Sequence, residues 1–430
     1  MRWRFWHPSQ EKKVKLEKRG ISLLERTFKS IPVVLIGIVL TFVLSRSGFF
    51  RQIETYSLDT QVRLQGAPEE SPVAVVLIDK GDFANLFQEK SPLDPAALQK
   101  VISAIAAGKP KAIGVVIDTS APEFKELRPA PDWPAVVWAQ NGAFSYRDRK
   151  YHLLKVLGGQ TAPAPAGLVV FKLDPDGAIR RYPRLCETDQ GARPSFPWAV
   201  AKEFAPAEAA RLKPTQEELF ITFAGDKDGS HRLHFTASRV LELADGPGWQ
   251  NDSPVKDKVV LLGGAYDIAD EHDTPLGWMP GVEVLAYALE TELGGGGLPP
   301  PSPILVTAIG GLVGLLLLLL FQHFTPVKGF LISGLAIPVS GVICSLLVFK
   351  TMSFWAYFVP IPLAVLGQEF YAQVKAYRMK LIEQLYKGVM RKSKENDDED
   401  DADEEPAAAE MRADPPHEEV GAKPESSGVG

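Results

Sequence analysis

Four long apolar stretches constrain this 430-residue chain more than any other feature of its sequence. They run over residues 31–50, 304–324, 330–349 and 354–370. Each approaches the roughly 20 apolar residues that a helix needs to cross the hydrocarbon core of a bilayer. A buried helix in a large soluble protein would explain one such stretch, but it would not explain four. The sequence therefore predicts an integral membrane protein with four transmembrane helices.

Basic residues beside the first and last apolar stretches predict the orientation of the chain. Residues 1–30 form an arm with nine Lys/Arg against three Asp/Glu, and basic segments of this kind stay in the cytoplasm. Seven Lys/Arg lie in residues 371–394, after the last stretch. We therefore expect both termini in the cytoplasm and residues 51–303 outside the cytoplasmic membrane. The long basic arm and the lack of a small-x-small motif are not typical of a cleaved signal peptide.

The outer segment, residues 51–303, has the pattern of alternating strands and helices. A helix is predicted to begin at Asp94 and Pro95 and to end at Gly108 in a left-handed cap. Near-continuous apolar runs, as in strands covered on both faces, predict strands over residues 72–79, 111–118, 135–140 and 258–265.

A hairpin and a closing helix complete the predicted outer domain. Residues 167–185 alternate around the turn sequence DPDG, which is typical of a β-hairpin. Residues 282–293 predict the closing helix, before the connector GGGGLPPPSP. The expected fold class is an α/β domain with a mostly parallel sheet and a β-hairpin addition, joined to four transmembrane α-helices. Cys186 lies in this domain and Cys344 in the third apolar stretch, so no disulfide between them is expected, and Cys186 is predicted to be buried near a strand end.

The order of several sequence blocks resembles one family of sensors. The blocks are SLDTQVRLQG, PVAVVLIDKGDF, PKAIGVVID, LDPDGAIRRYP, and KVVLLGGA followed by TPLGWMPGVEVLAYALETEL. In this order they are similar to the type-two CHASE domain, the cyclase/histidine-kinase-associated extracellular sensor. The resemblance covers roughly residues 50–370. It implies a bacterial cytoplasmic-membrane protein with one N-terminal span, a periplasmic or extracellular sensor, about three further spans and a cytoplasmic effector.

The sequence after the last apolar stretch departs from that arrangement, because no cyclase, kinase or diguanylate cyclase domain follows. Residues 371–394 predict a juxtamembrane helix, and residues 395–430, with fourteen acidic residues, predict a disordered tail. The helix has two interpretations: a short coiled coil that Arg378 and Gly388 interrupt, or a basic helix that lies on anionic lipid. The a/d positions of the coiled coil are Tyr371, Val374, Leu381 and Leu385.

Polar residues after the predicted strands are the candidate ligand site. Asp79 and Asp118 each end an apolar strand, and Asp270 and Thr274 follow another. Because the carboxyl ends of parallel strands face the ligand crevice of an open α/β sheet, these four residues are candidate ligand-binding residues. The alternative is local: the acids cap turns or helices, and Thr274 shapes the Thr-Pro turn.

The segment DEHD, residues 270–273, and the pair Arg180 and Arg181 are two further candidates for binding. Consecutive loop residues seldom point the same way, and a metal site needs three or four ligands. The sequence therefore predicts no metal and no cofactor. The two arginines follow the DPDG turn, and they are expected to bind an anion or to pair with neighbouring acids.

The motifs of common hydrolases and nucleotide-binding enzymes are absent from the sequence, so we expect no enzyme activity. The expected function is a membrane sensor without its own catalytic output. The alternative is a structural or assembly subunit that uses the same fold as a protein-docking module. The expected partners are a small ligand or envelope protein outside, a cytoplasmic or membrane effector protein, membrane lipid and a second copy of the chain, but not nucleic acid.

Overall fold

The computed structural model describes residues 55, 58–63, 70–159, 165–225, 229–298, 374–375 and 377–389. The four predicted transmembrane stretches and the acidic tail lie outside these ranges. Within the described ranges, no helix combines the length and the apolar character needed to cross a membrane. By its contacts the chain divides into two compact units, Met1–Gln368 and Glu369–Gly430.

The first unit alternates short strands with helices. The strands are β1 (Val73–Ile78), β2 (Ala112–Val116), β3 (Ala135–Gln140), β4 (Gly142–Ser145), β5 (Lys150–Leu153), β6 (Ala166–Leu168), β7 (Lys172–Leu173), β8 (Ile179–Pro183), β9 (Leu185–Thr188), β10 (Gly191–Pro194), β11 (Glu218–Phe220), β12 (Leu233–Thr236), β13 (Val259–Gly264), β14 (Glu271–His272) and β15 (Met279–Pro280). The helices are α1 (Lys80–Asn85), α2 (Pro95–Ala107), α3 (Phe196–Phe204), α4 (Pro206–Ala209), α5 (Ala237–Ala244), α6 (Pro247–Asn251) and α7 (Gly281–Leu293). Residues 58–63, ahead of β1, are also helical.

A six-stranded parallel sheet with the order β12-β1-β13-β2-β3-β6 is the centre of this unit. Side chains alternate across a strand, so Val73 and Val75 pack with α3 and α7, while Val76 and Ile78 pack with α2 and α5. Helices therefore cover both faces of the sheet. The mixed α/β fold and the mostly parallel sheet confirm the sequence prediction for this part of the chain.

Smaller sheets surround the parallel one. Strands β7, β8 and β11 form an antiparallel sheet, and Lys172 pairs with Arg181 across the predicted hairpin. Strands β14 and β15 form a two-stranded ribbon around the TPLG turn. Strands β10, β9, β5 and β4 form a separate sheet. Cys186 lies in β9 and is buried, as predicted, and burial raises the pKa of its thiol to about 12.

The C-terminal cap of α2 differs from its prediction. Asp94 caps the N-terminus as expected, because its side chain accepts a hydrogen bond from the backbone of Ala97. Gly108, however, has a φ of −74°, so the predicted left-handed cap is wrong. A Cβ at Gly108 would come within 2.8 Å of the side chains of Ser253 and Val255. Glycine is needed there for close packing, and not for a left-handed conformation.

Candidate functional site

Asp79 and the residues after it build a helix-capping arrangement at the carboxyl edge of the sheet. Asp79 is the N-cap of α1, and its Oδ1 accepts a hydrogen bond of 2.8 Å from the backbone of Asp82. Asp82 is buried, and its carboxylate accepts hydrogen bonds from the backbones of Ala237 and Ser238 at the start of α5. A carboxylate at a helix N-terminus is stabilised by the unpaired N–H groups and the helix dipole. Asp79 therefore helps to orient the contact between Asp82 of α1 and the start of α5, which the sequence interpretation did not identify.

Asp118 lies at the same edge of the sheet, because it follows β2, and β13 separates β2 from β1. Its Oδ1 accepts a hydrogen bond of 2.8 Å from the backbone of Ser120. That contact is an Asx turn, which stabilises the loop after the strand. The fold brings Asp79 and Asp118 to one edge, where the carboxylate of Asp79 bonds to helix α1 and that of Asp118 bonds to its own loop.

Asp270 belongs to the loop that follows β13, also at the carboxyl edge. Its side chain is 48% exposed and lies 3.7 Å from the ring of His272. Gly281 leaves room for it, because a Cβ at this glycine would come within 2.9 Å of the Asp270 carboxylate. The same loop contains Tyr266, where burial and then the charges of Asp267 and Asp270 raise the pKa of the phenol.

Thr274 has a structural position inside the TPLG turn. It is buried, and its hydroxyl donates a hydrogen bond of 2.7 Å to the carbonyl of Gly277 and accepts one from the backbone of Leu276. Gly277 has a φ of +104°, a conformation that favours glycine. The Thr and Gly of this motif therefore fix the shape of the turn.

The two predicted arginines stand at the centre of a partly buried charge group, which we call the Arg180 cluster. It comprises Asp59, Asp174, Asp176, Arg180 and Arg181. Arg180 donates two hydrogen bonds to Asp59 (2.8 and 2.9 Å), two to Asp176 (both 2.8 Å) and one to Asp174 (3.1 Å). All five N–H donors of a guanidinium are thus occupied.

Arg181 pairs with the same turn from the other side. It lies 2.6 Å from Asp174 and 3.4 Å from Glu218, with its guanidinium over the ring of Phe220. Of the two sequence interpretations for these arginines, anion binding and pairing with acids, the geometry corresponds to pairing. At Arg180, an anionic ligand would have to displace carboxylates that are already bound in bidentate geometry.

The electrostatics of the Arg180 cluster follow from this pairing. Burial lowers the pKa of the Arg180 guanidinium, but the hydrogen bonds to Asp59 and Asp176 outweigh burial and raise the pKa above its usual range. In return, the hydrogen bonds from Arg180 hold the pKa of the Asp176 carboxyl below its usual value. Arg180 and Asp176 therefore both stay charged over the whole neutral range.

Three of the sequence blocks that carried the family resemblance meet at this cluster. SLDTQVRLQG supplies Asp59, and LDPDGAIRRYP supplies the arginines and the turn. The block with TPLG, together with Asp273 directly before it, joins them through two hydrogen bonds. Arg63 donates one of 2.8 Å to the carbonyl of Pro275, and the backbone of Ile179 donates one of 2.8 Å to the carbonyl of Asp273. The helical residues 58–63 thus hold both loops. Leu58 and Val62 of this helix are buried against β8, β15 and α7.

A second buried charge group, the Arg232 cluster, connects β12 with α7. It comprises Ser71, His231, Arg232, His234, Glu283 and Glu290. Arg232 lies 2.7 Å from Glu283 and 2.9 Å from Glu290. His234 lies 2.9 Å from Glu283, and His231 lies 3.2 Å from Glu290. The sequence interpretation found no role for either histidine.

Helix α7 carries a third buried acid, Glu292. Arg184 donates to both of its oxygens, at 2.9 and 3.0 Å, and the hydroxyl of Tyr182 donates to it as well. Burial, followed by the charge of Glu292, raises the pKa of Tyr182 well above its usual value. Buried acids on a mostly apolar helix require basic partners. This signal in the sequence could have indicated that two arginines, Arg184 and Arg232, are buried beside the helix.

The residues that the structure describes contain no group of three or more His, Cys, Asp or Glu placed to hold a metal ion. In the DEHD stretch, Glu271 and His272 form the short strand β14, and Asp270 precedes it. What the described residues offer is a set of paired charges that fix loops and one helix relative to each other.

One comparison with known proteins gives a match. The family model of the CHASE2 domain matches residues 34–321, which is more than half of the chain, and this confirms the resemblance in the sequence. The match begins inside the first apolar stretch and ends inside the second. No curated protein and no solved structure matches the chain.

Proposed function

The chain belongs to the CHASE2 domain family, and on that premise we propose that it is an integral membrane sensor that acts through a separate partner protein. The outer domain, residues 51–303, senses a small ligand or an envelope protein. The N- and C-terminal segments lie in the cytoplasm of a bacterial cell. The partner is a cytoplasmic or membrane effector, and the chain itself catalyses no reaction.

The Arg180 cluster is the observation that carries this proposal. Asp59 stands nine residues after Phe50, the last residue of the first apolar stretch. Through Arg180 it bonds to the DPDG turn, and Arg63 bonds to the TPLG turn. A change in either loop therefore acts on the segment that leads to the first apolar stretch. A ligand shifts such an equilibrium only by its difference in affinity for the two states.

The membrane location has two supports. The family match includes parts of both apolar stretches that flank the outer segment. Stretches of about 20 apolar residues with basic flanks also fit spans with a cytoplasmic N-terminus. Resistance of the full chain to extraction by alkaline carbonate is the expected result, and release into the soluble fraction would contradict it.

The variant Asp59→Asn in the full chain tests the role of the Arg180 cluster. The protein is expressed in bacterial membranes, crosslinked, and purified together with the proteins bound to it. The variant keeps the size of the side chain but removes the bidentate contact with Arg180. The matched control is Glu242→Gln, which removes an exposed pair with Arg239 in α5. We expect Asp59→Asn to change the amount of captured effector at least severalfold, with the outer domain still resistant to protease, and the control to behave as the wild type.

Two other outcomes would change the interpretation. Capture that is equal in all three proteins, but lost when residues 51–303 are deleted, indicates an assembly subunit that docks through the outer domain. Failure of every protein to retain a partner would remove the effector from the proposal.

A further inference from the structure

The second unit contains an exposed amphipathic helix, the inner helix (residues 377–389). Every one of its residues is exposed, and neighbouring residues 374 and 375 are helical and exposed as well. Its larger apolar side chains are between 46% and 68% exposed from Met379 onward. They are Met379, Leu381, Ile382, Leu385, Tyr386 and Val389.

The width of the apolar face distinguishes a coiled-coil partner from a membrane surface. At 3.6 residues per turn, these six side chains cover an arc of about 160°. Lys380, Glu383, Gln384 and Lys387 fill the opposite side. A two-stranded coiled coil needs only the narrower seam of a and d positions. A broad apolar face opposite a basic one is typical of a helix that lies in the plane of a membrane surface.

The charge of this segment favours an anionic surface over a second copy. Residues 371–394 carry seven Lys/Arg and one acid, Glu383, so their net charge is 7 − 1 = +6. Glu383 is paired with Lys387 at 2.9 Å. Two such helices side by side would repel each other, and Arg378 would lie near the middle of their apolar seam. Clusters of basic residues beside a span attract the anionic lipid of the membrane surface.

We propose that the inner helix binds the surface of a membrane that contains anionic phospholipid. Its apolar face enters the boundary between headgroups and acyl chains, and Arg378, which lies within that face, extends its guanidinium to the lipid phosphates. Lys380 and Lys387 lie on the opposite side and face water, and their charge adds to the attraction of the anionic surface. The inference goes beyond the sensor function, because it assigns a ligand to a surface in the second unit.

The test uses the full chain with Cys344→Ser, reconstituted into lipid nanodiscs of pure phosphatidylcholine or with one third phosphatidylglycerol. Cys186 is buried and does not compete for a label at neutral pH. An environment-sensitive fluorophore is attached to Leu385→Cys on the apolar face or, as the matched control, to Glu383→Cys on the polar face. Quenching by nitroxide-bearing lipid reports how deeply each position lies in the membrane.

We expect the label at position 385 to be blue-shifted and quenched severalfold more in anionic discs than in neutral ones. The label at position 383 should stay in water in both. Added Lys380→Gln and Lys387→Gln should reduce the quenching at position 385, and so should high salt, which screens the attraction.

Three results would overturn the proposal. A water-like signal at position 385 in anionic discs means that the helix does not bind lipid. Equal shielding in both discs, with energy transfer between labels on two copies, assigns the face to a second copy. Shielding that is independent of lipid charge, and lost when residues 395–430 are removed, assigns the face to the acidic tail.

Discussion

The Arg180 cluster and the Arg232 cluster have the same chemistry but different positions in the fold. Each has a buried arginine between carboxylates, and the arginine side chains are 5% and 0% exposed. Arg180 joins the DPDG turn to the helical residues 58–63, and its partner Asp176 is 38% exposed. Arg232 joins the start of β12 to the buried helix α7, and its partners Glu283 and Glu290 are almost enclosed. The contact between the core elements β12 and α7 depends on Arg232, whereas the position of the DPDG turn depends on Arg180.

How much each arginine contributes to stability depends on the carboxylates that remain when the arginine is replaced. Breaking a buried ion pair by removing one member leaves an uncompensated charge, which is more costly than the pair was favourable. Around Arg232, both carboxylates would remain inside the core with only histidines and Ser71 beside them. Around Arg180, water can reach Asp176, and Asp174 keeps its contact with Arg181. The first cluster is therefore expected to control folding, and the second to control coupling between parts that stay folded.

The largest expected effect belongs to Arg232→Met. The variant keeps most of the side-chain volume but leaves Glu283 and Glu290 without a permanent cation, so we expect a loss of about 3–5 kcal/mol in the free energy of unfolding. Urea unfolding of the full chain in detergent, followed by tryptophan fluorescence, measures it. Arg239→Met, at an exposed pair with Glu242, is the control, with an expected change of about 0.5 kcal/mol or less. A loss below about 1 kcal/mol for Arg232→Met would mean that the cluster does not stabilise the core.

Arg180→Met should have a smaller effect, of about 1–3 kcal/mol, because two of its three partners retain water or a second arginine. The same urea experiment measures it. Cys186 gives an independent measurement, because its buried thiol reacts only when the domain opens, and the labelling rate then follows the open population. In a Cys344→Ser background, Arg180→Met should label roughly thirtyfold more slowly than Arg232→Met, because the two expected losses differ by about 2 kcal/mol and each 1.4 kcal/mol is a factor of ten. Equal rates in the two variants would abolish the distinction between the clusters.

The sequence was sufficient for the parallel sheet because strands buried on both faces leave a continuous apolar run. The run VAVVLI coincides with β1, and AVVWAQ coincides with β3. Local patterns were also sufficient where the interaction is local, as at Asp94, which caps the helix that begins one residue later. These features depend on neighbours within a few positions in the chain.

The same reasoning did not reach features set by distant neighbours. Gly108 is required by side chains about 145 residues further along the chain, which no local pattern reveals. The sequence left two interpretations for the carboxylates of Asp79 and Asp118, and the structure pairs each of them with a backbone N–H two or three residues further along the chain. The partners in both charge clusters depend on how β8 and β12 are placed against the helices. A sequence shows that an acid on α7 needs a cation, but the fold determines which cation it meets.

The smallest expected effect is the contribution of Asp176 to the pH dependence of stability, which tests whether water reaches the Arg180 cluster. Because Arg180 depresses the pKa of Asp176 in the folded protein, this carboxylate contributes stability above its unfolded pKa of about 3.9. That contribution is lost as the pH falls through the lower, folded pKa. Asp176 is more than one third exposed, so water screens the pair and the contribution is small.

The measurement compares the urea midpoints of the wild type and Asp176→Asn at pH 5 and pH 3. Other carboxylates also titrate in this range, but they do so in both proteins, so the difference between the two pH-dependent losses isolates Asp176. We expect the wild type to lose more stability than the variant over this interval. Identical losses would mean that Asp176 bonds to Arg180 without a net electrostatic contribution, and the Arg180 cluster would then rest on Asp59 and Asp174. A loss as large as that of Arg232→Met would place Asp176 effectively inside the core, and the two clusters would no longer differ in their access to water.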